Sequence, residues 1–396
     1  MLSNRVNRIG MSPTMKMAGM AKSLAAQGHD VIDLSVGEPD FPTPEYIVKA
    51  CKTALDKGQT KYTANAGLPE LKKAIIEKLQ KENGVAYQPD EILISPGAKT
   101  SLYNLSVALF DDGDEVVIPA PYWVTYIAQV QLAKATPIVI QTDEKDDFKL
   151  RPEALKQALT PKTKAIFINS PSNPTGAVYS QDELRPLAEL AADRGMAIIS
   201  DEIYEKILFD GVNFACTAAF SEKIKAHTIV VNGFSKAFAM TGWRLGYAAG
   251  PKSIIAAMEK VQSHNTSNAT TFVQHAGVTA LRELSNQIDQ MVVEFQKRRD
   301  LVVKLLREIP SVTVSAPEGA FYVFPNIKRY LGRIGKGRKI ATSVELSEYI
   351  LEETKVATVP GDAFGTDGFI RLSFATSQER IRAGISRIAA ALEKLS

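Results

Sequence analysis

Short runs of apolar and β-branched residues recur through the first two thirds of the chain, at residues 92–94, 115–118, 137–140, 165–168, 197–199 and 228–231. Runs this short, bounded by turn-forming residues, predict buried strands. Longer segments with apolar residues at helical spacing separate several of them. Residues 181–194 are one example, with Ser180 as a suitable N-cap. The alternation predicts an α/β fold in which a mainly parallel sheet lies between helices.

The pattern changes after about residue 270. Residues 270–308 keep helical spacing without a proline, which predicts one long helix of the kind that connects domains. The elements predicted beyond it are strands at 312–314, 320–324 and 369–374 and helices near 343–354 and 378–395. We therefore expect two domains. Residues 46–280 form the large one, and residues 281–396 form a smaller α+β domain together with the N-terminal segment 1–45.

The composition argues against several classes of protein. A length of 396 residues with 45% hydrophobic content suits a large core, and the net charge of +3 is too small to indicate nucleic-acid binding. We interpret the basic stretch 328–339 as a solvated loop. Two cysteines, four scattered histidines and no C-x-x-C motif predict neither a disulfide framework nor a metal site. No signal-peptide pattern is present and no apolar run approaches the roughly 20 residues that span a bilayer, so we expect a cytoplasmic protein.

Polar side chains follow three of the predicted strands at the point where each strand ends. Residues 169–176 (NSPSNPTG), 201–204 (DEIY) and 232–236 (NGFSK) come directly after the strands at 165–168, 197–199 and 228–231. Ligands of open α/β sheets bind outside the carboxyl ends of the strands. Each segment alone could be an ordinary turn. Together they predict that Asn, Asp, Tyr, Ser and Lys side chains meet at one edge of the sheet.

Lys236 and Arg244 suit an aldehyde cofactor that also carries a phosphate, because an amine can form a Schiff base and a guanidinium can pair with the phosphate. Pyridoxal phosphate (PLP) needs a buried carboxylate beside its pyridine nitrogen, and Asp201 is the candidate. Tyr204 and Asn173 can donate hydrogen bonds to the ring oxygen. Lys236 must also act as a base, so we expect its pKa to be lowered from about 10.4 by an apolar pocket and by Arg244.

The phosphate of such a cofactor needs backbone N–H groups at the start of a helix. The sequence Pro-Gly-Ala-Lys-Thr follows the strand at 92–94 and opens a predicted helix, so Gly97, Ala98 and Lys99 are candidates for this site. Ser235 and Arg244 would complete it.

With these motifs in place, the chain resembles the class I/II aminotransferases of PLP fold type I, and most closely the bacterial aspartate aminotransferases. The resemblance runs nearly end to end and is carried by VGEPDF at 36–41, KYT at 61–63, GLPEL at 67–71, PYW at 121–123, NPTG at 173–176, SDEIY at 200–204, SK at 235–236, MTGWR at 240–244, GAFY at 319–322 and RLS at 371–373.

The resemblance implies roles for matching residues. Lys236 resembles the Schiff-base lysine. The residues that resemble the partners of the cofactor ring are Asp201, Tyr204 and Asn173. Trp123 is similar to the aromatic residue stacked on that ring, Arg371 to the clamp on the substrate α-carboxylate, and Gly37 to a backbone contact with substrate. Tyr62 is similar to a tyrosine that reaches the cofactor phosphate of the neighbouring subunit, which implies a homodimer. The resemblance also makes cis bonds before Pro121 and Pro174 plausible.

The substrate depends on fewer residues. A dicarboxylate needs a second cation, and Lys99 matches a lysine of the aspartate aminotransferases. Some relatives carry another lysine near the N-terminus that assists acidic substrates and prephenate. The nearest position here is Ser12, with Lys16 about one helical turn away, which argues against prephenate activity. The leading hypothesis is transamination between L-aspartate and 2-oxoglutarate, giving oxaloacetate and L-glutamate.

The sequence is also compatible with other functions. The same residues suit an aminotransferase for aromatic or other neutral amino acids, or a PLP lyase, and only Lys99 favours aspartate. A PLP-binding transcription regulator needs a DNA-binding module, for which a family pattern that begins by about Val31 leaves no room. A nicotinamide dehydrogenase is disfavoured because no G-x-G-x-x-G follows a first strand.

Overall fold

The computed structural model describes residues 2–10, 13–283 and 285–396. Its strands are β1 (Ile32–Asp33), β2 (Ile92–Ser95), β3 (Glu115–Ala120), β4 (Thr136–Gln141), β5 (Thr163–Asn169), β6 (Ala197–Asp201), β7 (Thr228–Gly233), β8 (Gly246–Ala249), β9 (Tyr322–Val323), β10 (Ile334–Gly335), β11 (Arg338–Lys339), β12 (Val356–Ala357), β13 (Val359–Pro360) and β14 (Ile370–Ser373). Its α-helices are α1 (Asn4–Asn7), α2 (Pro13–Ala26), α3 (Glu45–Asp56), α4 (Pro69–Lys78), α5 (Ala98–Leu109), α6 (Thr125–Leu132), α7 (Pro152–Ala158), α8 (Gln181–Asp193), α9 (Glu222–Lys225), α10 (Lys252–Ser263), α11 (Thr271–Arg282), α12 (Gln287–Arg307), α13 (Ser343–Thr354) and α14 (Gln378–Glu393).

The central sheet contains seven strands in the order β2-β8-β7-β6-β5-β3-β4. Strands β4, β3, β5, β6 and β7 run parallel, whereas β8 pairs antiparallel with both β7 and β2. All six strands predicted in this part of the sequence lie in this sheet, so the prediction of a mainly parallel α/β fold is confirmed. Strand β8 was not predicted, because its residues Gly-Tyr-Ala-Ala include no β-branched side chain.

Helices cover both faces of this sheet. On one face Leu184 and Leu187 of α8 pack in a cluster with Ile166 and Ile198 of the sheet. The opposite face is covered by α5 and α10. The predicted N-cap of α8 is confirmed, because the Ser180 hydroxyl accepts the Glu183 N–H at 3.3 Å and the Glu183 carboxylate accepts the Ser180 N–H at 2.8 Å.

The prediction of one long helix over residues 270–308 is wrong. The chain forms α11 and α12, separated at Glu283, which has extended backbone angles, and at Asn286, which precedes α12. The Ser285 hydroxyl accepts the N–H of Gln287 at 3.2 Å at the start of α12. The apolar spacing continues across the break because both helices are amphipathic. They nevertheless pack on different partners, α11 on α3 and α4, and α12 on α14.

The C-terminal part forms smaller sheets. Strands β13, β14 and β9 make an antiparallel sheet, β10 and β11 a hairpin, and β1 pairs in parallel with β12, which attaches the N-terminal segment. The predicted strand at 312–314 is wrong, since only one isolated bridge joins Thr313 to Asn326. The run 320–324 shortens to β9 because the chain leaves the ladder after Val323.

No helix in the described ranges is both long and apolar enough to cross a bilayer. Among the same residues, no group of three or more His, Cys, Asp and Glu side chains is placed to hold a metal ion. Cys51 and Cys216 are both free thiols.

Candidate active site

The carboxyl ends of β5, β6 and β7 bring the predicted polar segments together. The three strands are adjacent and parallel, with Asn169 opposite Asp201 at the edge of the sheet. The Asn169 amide donates to the Asp201 carbonyl oxygen at 3.0 Å, and the Asn169 side-chain oxygen accepts the N–H of Asn173 at 2.9 Å. The two loops are therefore tied to each other at the point where their side chains enter the site.

Asp201 is a buried carboxylate with few partners. Its Oδ2 accepts the Tyr126 hydroxyl at 2.6 Å and its Oδ1 accepts the Ile203 N–H at 3.3 Å. Burial raises the pKa of Asp201 to about 6, although Tyr126, Ile203 and Lys236 all act in the opposite direction. An acid that is costly to ionise without a cation suits a ligand that brings a protonated nitrogen.

Lys236 follows β7 and faces the same space. Burial is the main cause that lowers the pKa of its amine to about 8. Arg371 and Arg244 act in the same direction and Glu38 opposes them. The amine donates to the carbonyl oxygen of Gly37, on the N-terminal segment. A lysine with this pKa carries an appreciable neutral fraction near pH 7, so it can act as a nucleophile or a base.

Two tyrosines pack against this lysine pocket. The Tyr204 ring centroid lies 5.8 Å from Lys236 Nζ, and the Tyr204 hydroxyl lies 2.9 Å from the hydroxyl of Tyr322. Both rings are buried and meet edge to face at 5.8 Å. Burial raises the pKa of both phenols, which remain protonated at neutral pH.

Arg371 is buried, with 3% of its surface exposed, and has no acidic partner within salt-bridge distance among the described residues. Its Nη1 donates to Asn173 Oδ1 at 3.1 Å and its Nη2 to the Ser35 carbonyl oxygen at 2.6 Å. The guanidinium lies between the rings of Tyr322 and Phe364, at 4.4 and 5.2 Å. Its Nε–H is buried without a partner. A buried cation with an unused donor is suited to binding a carboxylate.

A second place suited to an anion lies at the start of α5. Gly97 precedes the helix with φ +88°, and a Cβ on it would lie 2.6 Å from Arg244 Nη2. Gly246 is equally close to the helix, because a Cβ there would lie 2.3 Å from the Ala98 nitrogen. Only glycine at both positions lets the Arg244 guanidinium and the helix N-terminus share this space. Ser235 is buried at the end of the neighbouring loop, and the cradle fits a phosphate.

Trp123 and Lys99 lie together at the more open side. Lys99 Nζ is 4.9 Å from the Trp123 ring centroid, and Trp123 meets the ring of Tyr126 edge to face at 5.5 Å. Partial burial is the main cause that lowers the pKa of Lys99, and the nearby Arg244 is the second.

The structure does not bring every predicted residue into this site. Tyr62 is 89% exposed. Ser12 lies outside the described residues, and Lys16 pairs with Glu348 at 3.0 Å on the surface. The expected cis bonds before Pro121 and Pro174 are present, and a third precedes Pro171.

Sequence reasoning missed two residues that contact the predicted ones. Tyr126 lies on α6, where an aromatic residue at helical spacing indicates a core position, and Tyr322 lies in the GAFY motif without an obvious polar partner. Their partners, Asp201 and Tyr204, are 75 and 118 positions away in the chain. The motif around Tyr322 was the only available signal.

The chain is similar to known proteins along nearly its whole length. The family model described as "Aminotransferase class I and II" matches residues 29–388. The chain is 46% identical to the aspartate aminotransferase of Geobacillus stearothermophilus over 98% of each protein. It is also 46% identical to the probable aspartate/prephenate aminotransferase of Aquifex aeolicus (strain VF5), over 100% of this chain and 99% of that protein. The crystal structure of the aspartate aminotransferase from Rhizobium meliloti superposes with a TM-score of 0.97 at 44% identity, over 100% of each chain.

Proposed function

The chain belongs to the class I and II aminotransferase family, and from that premise we propose that it transfers the amino group of L-aspartate to 2-oxoglutarate, with PLP as its cofactor. The products are oxaloacetate and L-glutamate. The observation that carries the proposal is the buried Arg371, which has an unused Nε–H and no acidic partner and lies in the same pocket as Lys236. The aspartate aminotransferases to which the chain is similar support the choice of substrate.

The residues present fit PLP at each of its polar groups. Asp201 would hold the pyridine nitrogen, Tyr204 and Asn173 the ring oxygen, and Trp123 the face of the ring. Gly97, Ala98, Ser235 and Arg244 would hold the phosphate. The fit rests on two features of this chain. Burial disfavours the anionic form of Asp201, and the space beside Gly97 would be filled by a Cβ at that position. When bound, PLP supplies a conjugated ring that stabilises negative charge at the amino-acid Cα.

The chain's own groups then divide the work of the reaction. Arg371 binds the α-carboxylate of the substrate, with its Nε–H as the free donor, and fixes the orientation of the Cα–H bond. The Lys236 amine, neutral in part because its pKa is about 8, would take the substrate Cα proton onto Nζ and hold it for the return step. Asp201 would stay ionised beside a protonated ring nitrogen, because such a partner offsets the cost of burying its charge.

Aspartate differs from neutral substrates in its second carboxylate, which we assign to Lys99. Its amine lies beside Trp123 on the open side of the pocket. Since Lys16 is already paired with Glu348 on the surface, it does not supply a further cation, and we propose no prephenate activity.

The same proposal includes the assembly and the location of the protein. Tyr62, whose ring is almost fully exposed, reaches the cofactor phosphate of a second copy in a homodimer. We also infer a large domain of residues 46–280, a small domain of residues 1–45 and 281–396, and a cytoplasmic location. Light scattering on the purified protein tests the dimer, which Tyr62→Ala should retain while its cofactor affinity falls.

The experiment that tests the substrate is a comparison of aspartate and phenylalanine as donors, with PLP and 2-oxoglutarate, in the unaltered protein and in Lys99→Met. Aspartate should be preferred, and the substitution should lower kcat/KM for aspartate about 10- to 100-fold because one charge-assisted hydrogen bond is lost. Phenylalanine should change little. Lys145→Met, which alters an exposed lysine paired only with Asp143, is the matched control. Preference for phenylalanine in the unaltered protein would keep the cofactor chemistry and overturn the substrate.

A further inference from the structure

The hydroxyls of Tyr204 and Tyr322 form an isolated pair at the centre of the site. Their oxygens are 2.9 Å apart, and the two residues are 4% and 1% exposed. Tyr204 comes from the loop after β6, whereas Tyr322 comes from β9 in the C-terminal part of the chain. The bond therefore joins the loop that follows Asp201 to the sheet that carries Arg371.

The proton count of this pair limits what Tyr204 can do. A phenol has one O–H, and either hydroxyl can be the donor in this bond. If Tyr204 donates to Tyr322, it has no proton left for another acceptor. If Tyr322 donates, the Tyr204 oxygen accepts that proton and its own O–H is free to point at a ligand.

The surroundings of Tyr322 favour it as the donor. The Arg371 guanidinium lies 4.4 Å from its ring. Burial raises the pKa of Tyr322, and the first influence that opposes burial is this cation. Arg371 also lowers the pKa of Tyr204, but there it ranks behind burial and the two effects of Tyr322. The other charged groups that act on the pair are Asp201, on Tyr204, and Glu38, on Tyr322, with the Lys236 amine 5.8 Å from the Tyr204 ring. A phenol next to a cation is the stronger hydrogen-bond donor.

We propose that Tyr322 is a positioning residue that donates its hydroxyl proton to Tyr204 and so directs the single O–H of Tyr204 to the ring oxygen of the cofactor. The inference rests on the proposed function, because it assigns a purpose to the Tyr204 hydroxyl that only a bound PLP would use. It also links the α-carboxylate clamp to the cofactor ring, since Tyr322 contacts both Arg371 and Tyr204.

Tyr322→Phe tests the proposal, because it removes the hydroxyl and keeps the ring that packs on Arg371. A donor at the ring oxygen stabilises that oxygen in its anionic form, so weakening the donor should raise the pH midpoint of the visible absorbance of the PLP-loaded enzyme. The expected shift is about 0.5 to 1 pH unit, the size of one net hydrogen bond. The kcat should fall about 3- to 10-fold, and KM for aspartate should stay within about twofold because the Arg371 contact remains.

Two further variants separate positioning from packing. Tyr349→Phe removes an equally buried hydroxyl, which donates to the Ala391 carbonyl oxygen at 3.2 Å, and should leave the absorbance midpoint unchanged. Tyr322→Leu removes the ring as well and should raise KM in addition to the shift. An unshifted midpoint in Tyr322→Phe, or an equal shift in Tyr349→Phe, would overturn the inference alone. Absence of cofactor absorbance and of transamination in the unaltered protein would overturn the proposed function and this inference with it.

Discussion

Replacing Arg371 with lysine isolates the part of the site that depends on guanidinium shape rather than on charge. Arg371 already uses two of its nitrogens, Nη1 for Asn173 and Nη2 for the Ser35 carbonyl oxygen, so Nε–H is the nitrogen left without a partner. Arg371→Lys keeps the positive charge, but a single ammonium must then serve both protein acceptors and the substrate. The substitution also removes a planar group held between the rings of Tyr322 and Phe364.

The magnitude follows from the donors that are lost. A hydrogen bond to a charged group contributes about 1.5 to 3 kcal/mol, and loss of one of the paired bonds to the α-carboxylate corresponds to about a 10- to 150-fold decrease in kcat/KM. The decrease should apply equally to aspartate and glutamate, because both carry the same α-carboxylate. It should also exceed any change in cofactor affinity, since Arg371 contacts Asn173 at the ring oxygen but none of the residues that we assign to the cofactor phosphate.

Steady-state kinetics with both donors measure this effect, with Arg299→Lys as the control. Arg299 is also a buried arginine held against an aromatic ring, that of Phe209 at 5.1 Å, but it pairs with Asp210 and lies outside the site. Its substitution should lower the melting temperature without lowering kcat/KM more than about twofold. If Arg371→Lys retained the full kcat/KM, or if Arg299→Lys lost as much, the assignment of the α-carboxylate to Arg371 would be refuted.

Three further predictions follow from particular contacts. Gly97→Ala should weaken PLP binding at least about 10-fold in titrations of cofactor-free protein, because its Cβ would overlap Arg244 and the backbone has φ +88°; unchanged affinity would place the phosphate elsewhere. Glu205→Ala should lower the free energy of unfolding in urea by about 1.5 to 3 kcal/mol, because it removes the buried carboxylate partner of Lys78 and leaves only Asn83 and the more distant Glu82 beside that amine; a loss under 1 kcal/mol would contradict this. The rate at which cofactor-free protein captures PLP should rise from pH 7 to 9 with a midpoint near 8, because the depressed pKa of Lys236 makes its amine neutral above that pH; a midpoint above 10 would show an ordinary lysine.

Most of the central sheet could be predicted because its signals are local. Six strands are short β-branched runs, and each ends in residues that favour turns, so the sequence alone indicates where their carboxyl ends lie. Strand β8 was not predicted because three of its four residues are glycine or alanine. One of them has a tertiary cause, since Gly246 must be glycine to let the start of α5 approach. The break between α11 and α12 was not predicted because the helical spacing of apolar residues continues across it, while the packing partners of the two helices differ.

The candidate site also has features that the sequence predicts and features that it does not. Asp201, Tyr204 and Lys236 could be proposed because they follow strands that the sequence places side by side. The contacts that set their chemistry, from Tyr126 to Asp201 and from Tyr322 to Tyr204, join residues far apart in the chain and leave no local pattern. The contacts of Glu205 also join distant parts of the chain. Its carboxylate is bound by Lys78 and by Asn83, and a π-helical turn at Leu79–Asn83 places Asn83 beside Lys78.

The proposed activity moves an amino group and depends on Lys236. The most direct test supplies the protein with PLP, 2-oxoglutarate and aspartate that carries an isotopic label on its amino nitrogen, and follows the label by mass spectrometry. The unaltered protein should form labelled glutamate, and Lys236→Ala should form it at least about a hundredfold more slowly. Label released as ammonia, or labelled glutamate formed at an undiminished rate by Lys236→Ala, would contradict it.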